Sequence, residues 1–204
     1  LTVHKASRLT DDPDFHYEQW CDGWPSTYLT LVNSLTVCVT NGYGITPVAG
    51  DHLQNLTTDV GVFQTAGGGA HYLAADSAYR NTGTTSINPG LAEALKRTTT
   101  HPPIVYDGAV VSMDGTLGPQ APRNQGIPDW GYHYDPLDYL FGGSDVNADI
   151  TFAPGTVVGW FRKTAGWQRA GHGIHIGDNK TLTFDGRVDQ PCWWVHQTVA
   201  QEHR

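Results

Sequence analysis

The side chains best suited to chemistry in this chain are carboxylates set among aromatic rings and histidines at short spacing. Asp135 and Asp138 lie three positions apart, framed by Tyr132, Tyr134 and Tyr139. Two carboxyls flanking a scissile bond, one acting as acid and the other as base or nucleophile, are the working parts of a glycosidase. In a turn that contains Pro136 the same spacing serves capping, because Asp side chains accept hydrogen bonds from nearby amides. The capping reading is preferred. His172 and His175, with His196 and His203 further on, would suit Zn or Cu if their ring nitrogens converged. Strand positions three apart point to opposite faces, so the first two would need a bulge, for which Gly173 is available. Solvent-facing or stacked imidazoles are the preferred reading. No cofactor is expected; Asp11, Asp12 and Asp14 offer oxygens to Ca2+ but lack the glycine and distal Glu of an EF-hand loop.

Other reactive arrangements are missing from the sequence. There is no GxSxG elbow, and no Cys stands beside a base. Gly67-Gly68-Gly69 is followed by neither Lys-Ser/Thr nor a helix, so it reads as a turn rather than a phosphate loop. Cys21, Cys38 and Cys192 have no CxxC spacing; a Cys21–Cys38 disulfide and three apolar thiols both remain open. Asn55-Leu56-Thr57 and Asn179-Lys180-Thr181 fit the N-glycosylation pattern and mark loops at most.

The aromatic residues group as Trp130, Tyr132, Tyr134 and Tyr139, as Trp160, Phe161 and Trp167, and as Trp193 with Trp194. Neighbouring residues on a strand face opposite ways, so at least one of Trp193 and Trp194 is expected at the surface. Exposed rings on a β platform stack on sugars or on another subunit. Most of the others are expected in the core.

The elements that must position these groups are mainly strands. Tyr28 to Thr40 alternates apolar and polar residues and predicts a strand, closed by the turn pair Asn41-Gly42. Alternation over four to seven residues predicts strands at 149–153, 156–161, 172–176, 181–184 and 193–199. One helix is expected over 88–97, capped by Asn88 with Pro89 in its first turn and stopped before Pro102-Pro103. A turn-rich linker follows at 119–128. The chain therefore divides into a strand-containing N-terminal extension at 1–60 and a β-rich module at 61–204 with a helix-and-linker excursion at 88–128. No clean internal repeat stands out by eye. The fold class is all-β: a solenoid, or alternatively a β-sandwich or jelly roll.

Composition limits the partners. The 204 residues include 24 Gly, 12 Pro, seven Trp and nine Tyr, only 16% are charged, and the net charge is −8. Scattered Lys and Arg without a basic stripe argue against nucleic acid, and no apolar run is long enough to span a membrane. Leu1-Thr2-Val3 reads as mid-strand, as in a segment of something longer or a processed product.

Three phrases carry a resemblance: Tyr72 to Gly83, Pro128 to Tyr139, and Trp194 to Glu202. Over roughly residues 60–204 the chain resembles secreted right-handed parallel β-helix repeat proteins of Verrucomicrobia and Planctomycetes. The resemblance implies that fold and an extracellular or cell-surface setting, and it transfers no catalytic residues. The resulting expectation is a non-catalytic structural or assembly module of a bacterial surface or fibre-forming protein. It would associate with itself or with neighbouring domains, with Trp130, Tyr132, Tyr134, Tyr139, Trp193 and Trp194 as binding residues. The alternative is a polysaccharide-binding or polysaccharide-degrading β-helix protein, for which only Arg162, Lys163, Arg169 and Arg187 offer cationic groups to an acidic sugar.

Overall fold

The computed structural model describes residues 2–4, 31–38, 53–163 and 173–202. They form a mostly β structure with largely parallel sheets and one short α-helix. The first sheet is parallel and contains β1 (Thr2–His4), β2 (Ser34–Val37) and β3 (Leu53–Leu56) in that order. The long alternating strand expected over 28–40 is much shorter in its described part. Both faces of β2 are covered, with Leu35 and Val37 packed against Val62 and Leu73 while Ser34 and Thr36 are buried behind them. Asn33 sets the start of β2. It takes φ 50°, a left-handed conformation that Asn tolerates, and its side-chain amide holds Thr84 through bonds of 2.7 and 3.0 Å.

β4 (Phe63–Ala66) and β5 (Gly69–Leu73) make an antiparallel hairpin around the Gly67-Gly68 turn. The predicted helix is α1 (Pro89–Leu95), and Asn88 Oδ1 caps it by accepting from the amides of Gly90 (2.8 Å) and Leu91 (3.3 Å). No residue of α1 is buried, so its cap and local pairs, rather than core packing, hold it on the surface.

Ten further strands follow: β6 (Ile104–Asp107), β7 (Val110–Val111), β8 (Gly115–Leu117), β9 (Tyr139–Gly142), β10 (Ser144–Val146), β11 (Ile150–Phe152), β12 (Val157–Phe161), β13 (Ile174–Ile176), β14 (Leu182–Phe184) and β15 (Trp193–His196). The five strands predicted after residue 149 correspond to β11–β15. The stretch 88–128, expected as helix and linker, also contains β6, β7 and β8. Strands are assigned in rotation to three parallel sheets, ordered β15-β12-β9-β6, β13-β10-β7 and β14-β11-β8. Each round of the chain thus adds one strand to every sheet.

Register reveals a repeat that the eye misses. Val110 pairs with Asp145 and Asp145 with His175, while Thr116 pairs with Thr151 and Thr151 with Thr183. Residues 108–117, 143–152 and 173–184 are therefore equivalent, the last carrying a two-residue insertion. Each begins with a glycine at the corner between two sheets: Gly108, Gly143 and Gly173 have φ of 64°, 59° and 61°. A side chain resists that conformation, so glycine recurs there. The expected absence of a repeat is corrected on this point. The rounds are spaced unequally in sequence because loops of different length separate them.

Inward-facing residues stack in columns through the rounds. Val146, Ile150, Phe152, Tyr139, Phe141 and Val158 form the main buried cluster. Phe152 lies 4.8 Å from Phe184, and Phe141 lies 4.7 Å from Tyr106 in a parallel stack. Ring stacking adds to the area buried in each column.

Candidate functional site

The most distinctive surface is the last round, β13, β14 and β15. Among the described residues each of these strands has one neighbour in its sheet, so its outer edge presents backbone groups without a strand partner there. The inward side chains of this round continue the core columns, and among the described residues no further strand lies above them. Ile176 is 43%, Phe184 40% and Trp194 42% exposed, while Val146, Phe152 and Val158 directly beneath them in register are 0–1% exposed. Trp194 meets Phe184 edge to face at 5.8 Å. Trp193 points to the other side of β15 and is more exposed still. The expectation that at least one of this pair reaches the surface matches both.

The opposite end of the stack is the first round, β6, β7 and β8. These are also terminal strands of their sheets, with Ile104, Val105 and Val110 exposed. Exposed strand edges are usually blunted by Lys or Pro, which oppose pairing with another chain. None of the six edge strands contains Lys, Arg or Pro. Charge lies beside them instead. Lys180 Nζ sits 3.7 Å from Asp149 and 3.8 Å from Asp114, at the turns leading into β14, β11 and β8.

The nearest approach to a catalytic arrangement is where the C-terminal tail meets the β4–β5 hairpin. Glu202 Oε1 accepts from Tyr134 Oη at 2.5 Å and from His71 Nδ1 at 2.6 Å, and Oε2 accepts from the Ala70 amide at 3.2 Å. Tyr134 Oη accepts in turn from the His71 amide at 2.8 Å. Beside it Gln201 bridges Ala66 O, Tyr72 Oη and the Gly68 amide. Burial raises the Glu202 pKa, but the donors from Tyr134, His71 and Ala70 outweigh it and hold the carboxyl below its ordinary value. Burial and the bond to Glu202 push the Tyr134 hydroxyl up. Every group here accepts or donates within the cluster, and no Ser, Thr or Cys nucleophile takes part. The arrangement therefore works as a latch between the end of the stack and the hairpin.

The other predicted residues separate. Asp138 is wholly buried and its carboxylate accepts from the amides of Gln120 (2.9 Å), Ala121 (3.0 Å) and Val157 (2.8 Å), with Arg123 bonding both oxygens at 3.1 Å. Five donors leave it no lone pair for a substrate proton. Asp135 is exposed, so the two acids do not share a cleft. Tyr134 and Tyr139 are buried, Trp130 stacks on Tyr79 at 5.8 Å, and Tyr132 stays exposed. The expected aromatic platform at 130–139 is thus largely core. His175 pairs with Asp145 at 3.1 Å on the surface, and His196 packs against Trp160. His172, His203, Arg169, Trp167, Cys21, Asp11, Asp12 and Asp14 lie outside the described residues. Among the described residues no three His, Cys, Asp or Glu side chains are grouped to hold a metal ion. Cys38 and Cys192 are free, half-buried thiols. Of the cationic candidates, Lys163 pairs with Asp107 at 3.0 Å, while Arg162 and Arg187 are exposed.

Sequence reasoning missed Ile176, Phe184, His71 and Glu202. The first two could have been found by aligning Gly173-Ile174-His175-Ile176 on Gly143-Ser144-Asp145-Val146 and Thr183-Phe184 on Thr151-Phe152. The partners of Glu202 leave no local signal, because the tail and the hairpin are far apart in sequence. Comparison with family models, with curated proteins and with solved structures found no match. Among the described residues no helix is long and apolar enough to cross a membrane, which says nothing of strands.

Proposed function

We propose that the chain is a parallel β-helix segment of an extracellular bacterial protein and that its role is structural, carried by stackable ends rather than by a reaction site. The rotation of strands among three parallel sheets supports the solenoid reading over a sandwich, whose sheets are typically antiparallel. The observation that carries the structural role is the open last round: columns buried through β10, β11 and β12 emerge into solvent at Ile176, Phe184 and Trp194. Covering those three side chains would contribute on the order of a few kcal/mol, at ~25 cal/mol per Å² of apolar surface. Of the two candidate carboxylates, Asp138 is committed to holding loops and Asp135 stands alone at the surface.

Light scattering of the purified chain over a range of concentrations tests this reading. The expected result is mass growth with concentration, suppressed by Phe184→Asp, which places a charge on the open column. A single mass equal to one chain at every concentration would sink the proposal. Trp193 and Tyr132, both exposed, support a second reading in which the surface stacks on sugar rings. Titration calorimetry with neutral and acidic oligosaccharides distinguishes it, since binding lost in Trp193→Ala with mass unchanged would favour that reading.

A further inference from the structure

We infer that the occupant of the open end is a second copy of this chain, added head to tail so that its β6, β7 and β8 continue β15, β13 and β14; the inference rests on the structural role proposed above. Three observations point to this partner. The first is the repeat. Residues 108–117 are equivalent in register to 143–152 and 173–184, so the first round of a second copy is the unit that would follow the last round of the first. In that continuation Gly108 lies over Gly173, Val111 over Ile176, Thr116 over Thr183 and Leu117 over Phe184. Each pairing repeats one already made inside the chain between successive rounds.

The second observation is the edges. The strands at both ends of the stack run parallel to their neighbours, and among the described residues each end leaves one row of backbone donors and acceptors without a strand partner. A parallel addition satisfies both rows and preserves the direction of every strand. Two copies meeting by the same end would run antiparallel and would set identical columns against one another. The edge strands lack the Lys and Pro that would prevent either arrangement, so side-chain register makes the choice.

The third observation is charge. Lys180 stands at the turn into β14, and Asp114 at the equivalent turn into β8. Inside the chain Lys180 already lies 3.7 Å from Asp149 and 3.8 Å from Asp114, the two rounds on its one side. In the continuation Asp114 of the added copy arrives on the other side of Lys180. The Asp149 amide is received by the Asp114 carboxylate, and the Thr181 amide by the Asp149 carboxylate, each at 2.8 Å. Thr181 occupies the next position of this ladder, where its hydroxyl accepts from the Asp114 amide of the added copy. Such an interface is heterologous and does not close, so its product is a filament.

Cysteine cross-linking reads the register. Thr116 and Thr183 each neighbour Thr151, so within one chain they are about 9.6 Å apart, two strand spacings. That exceeds the ~7 Å limit on Cα separation for a disulfide. In the head-to-tail stack Thr116 of one copy and Thr183 of the next are about 4.8 Å apart. Thr116→Cys and Thr183→Cys chains with different tags are oxidised separately and mixed, beside the unsubstituted chain with its native thiols. The expected result is a covalent heterodimer in the mixture that is absent from either chain alone. A chain carrying both substitutions should give a ladder of multimers. Homodimers of Thr183→Cys as the main product would overturn the head-to-tail register while leaving assembly standing. Growth in mass with no cross-link would do the same, placing assembly on another face. A chain that never grows in mass overturns this inference together with the reading it rests on.

Discussion

Asp138 shows how a residue with catalytic chemistry becomes structural. Its carboxylate gathers the amides at the start of the 119–128 loop, the first amide of β12 and the guanidinium of Arg123, which also donates to Ala121 O. Removing one partner of a buried ion pair leaves the other uncompensated, at a cost of about 3–5 kcal/mol. Asp138→Ala should therefore lower the free energy of urea unfolding by that amount, and a change below about 0.5 kcal/mol would contradict the assignment. Glu202 offers a second test. Its pKa in the folded chain lies below the ordinary carboxylate value, so over the interval between the two values the unfolded chain binds the proton first. The latch then contributes fully above pH ~4.5 and is lost as pH falls through the folded value. Glu202→Gln should flatten that part of the stability–pH profile, and an unchanged slope would show that the carboxylate is not coupled to folding. A backbone-holding role for Asp138 was legible from its Pro-containing turn, but as a local cap; the amides it holds lie 17–19 residues away and left no local signal. The latch was not legible, because its partners come from residues 66–72, 134 and 201–202 and meet only in the fold.

Among the elements, the corner glycines locate the rounds. Gly108, Gly143 and Gly173 each occupy the left-handed region where one sheet passes the chain to the next. A residue with a Cβ there costs roughly 1–2 kcal/mol. Gly143→Val should lower the thermal midpoint, with the loss larger than in a neighbouring control such as Asp145→Asn, which gives up only a half-exposed pairing with His175. Equal midpoints for the two would show that the corner does not require glycine. Strand positions after residue 149 were readable because alternation and turn residues coincide there. β6, β7 and β8 were not, since Val110-Val111 and Gly115-Thr116-Leu117 are too short to show a period and gain their strand geometry from pairing with β10 and β11. The repeat was hidden for a related reason. Insertions between β8 and β9, and between β12 and β13, break the even spacing by which internal repeats are usually recognised. Fourfold burial along β2 likewise overrides the alternation of its sequence.

For the whole molecule, the two ends of the stack dominate. Among the described residues the outer edges of β13–β15 have no strand partner and their apolar columns emerge into solvent, and apolar side chains are exposed at β6–β7. Of the described aromatic residues, Tyr106, Tyr139, Phe141 and Phe152 go into the columns, Tyr72, Tyr79, Trp130 and Tyr134 pack in the other clusters, and Trp193, Trp194 and Tyr132 are at the surface. The central claim is that these ends meet. Electron microscopy of the purified full chain, with diffraction from aligned specimens, tests it most directly. The account predicts unbranched filaments whose strands lie across the long axis, giving a meridional spacing of about 4.8 Å. Uniform single particles of one chain, persisting at the highest attainable concentration, would contradict it.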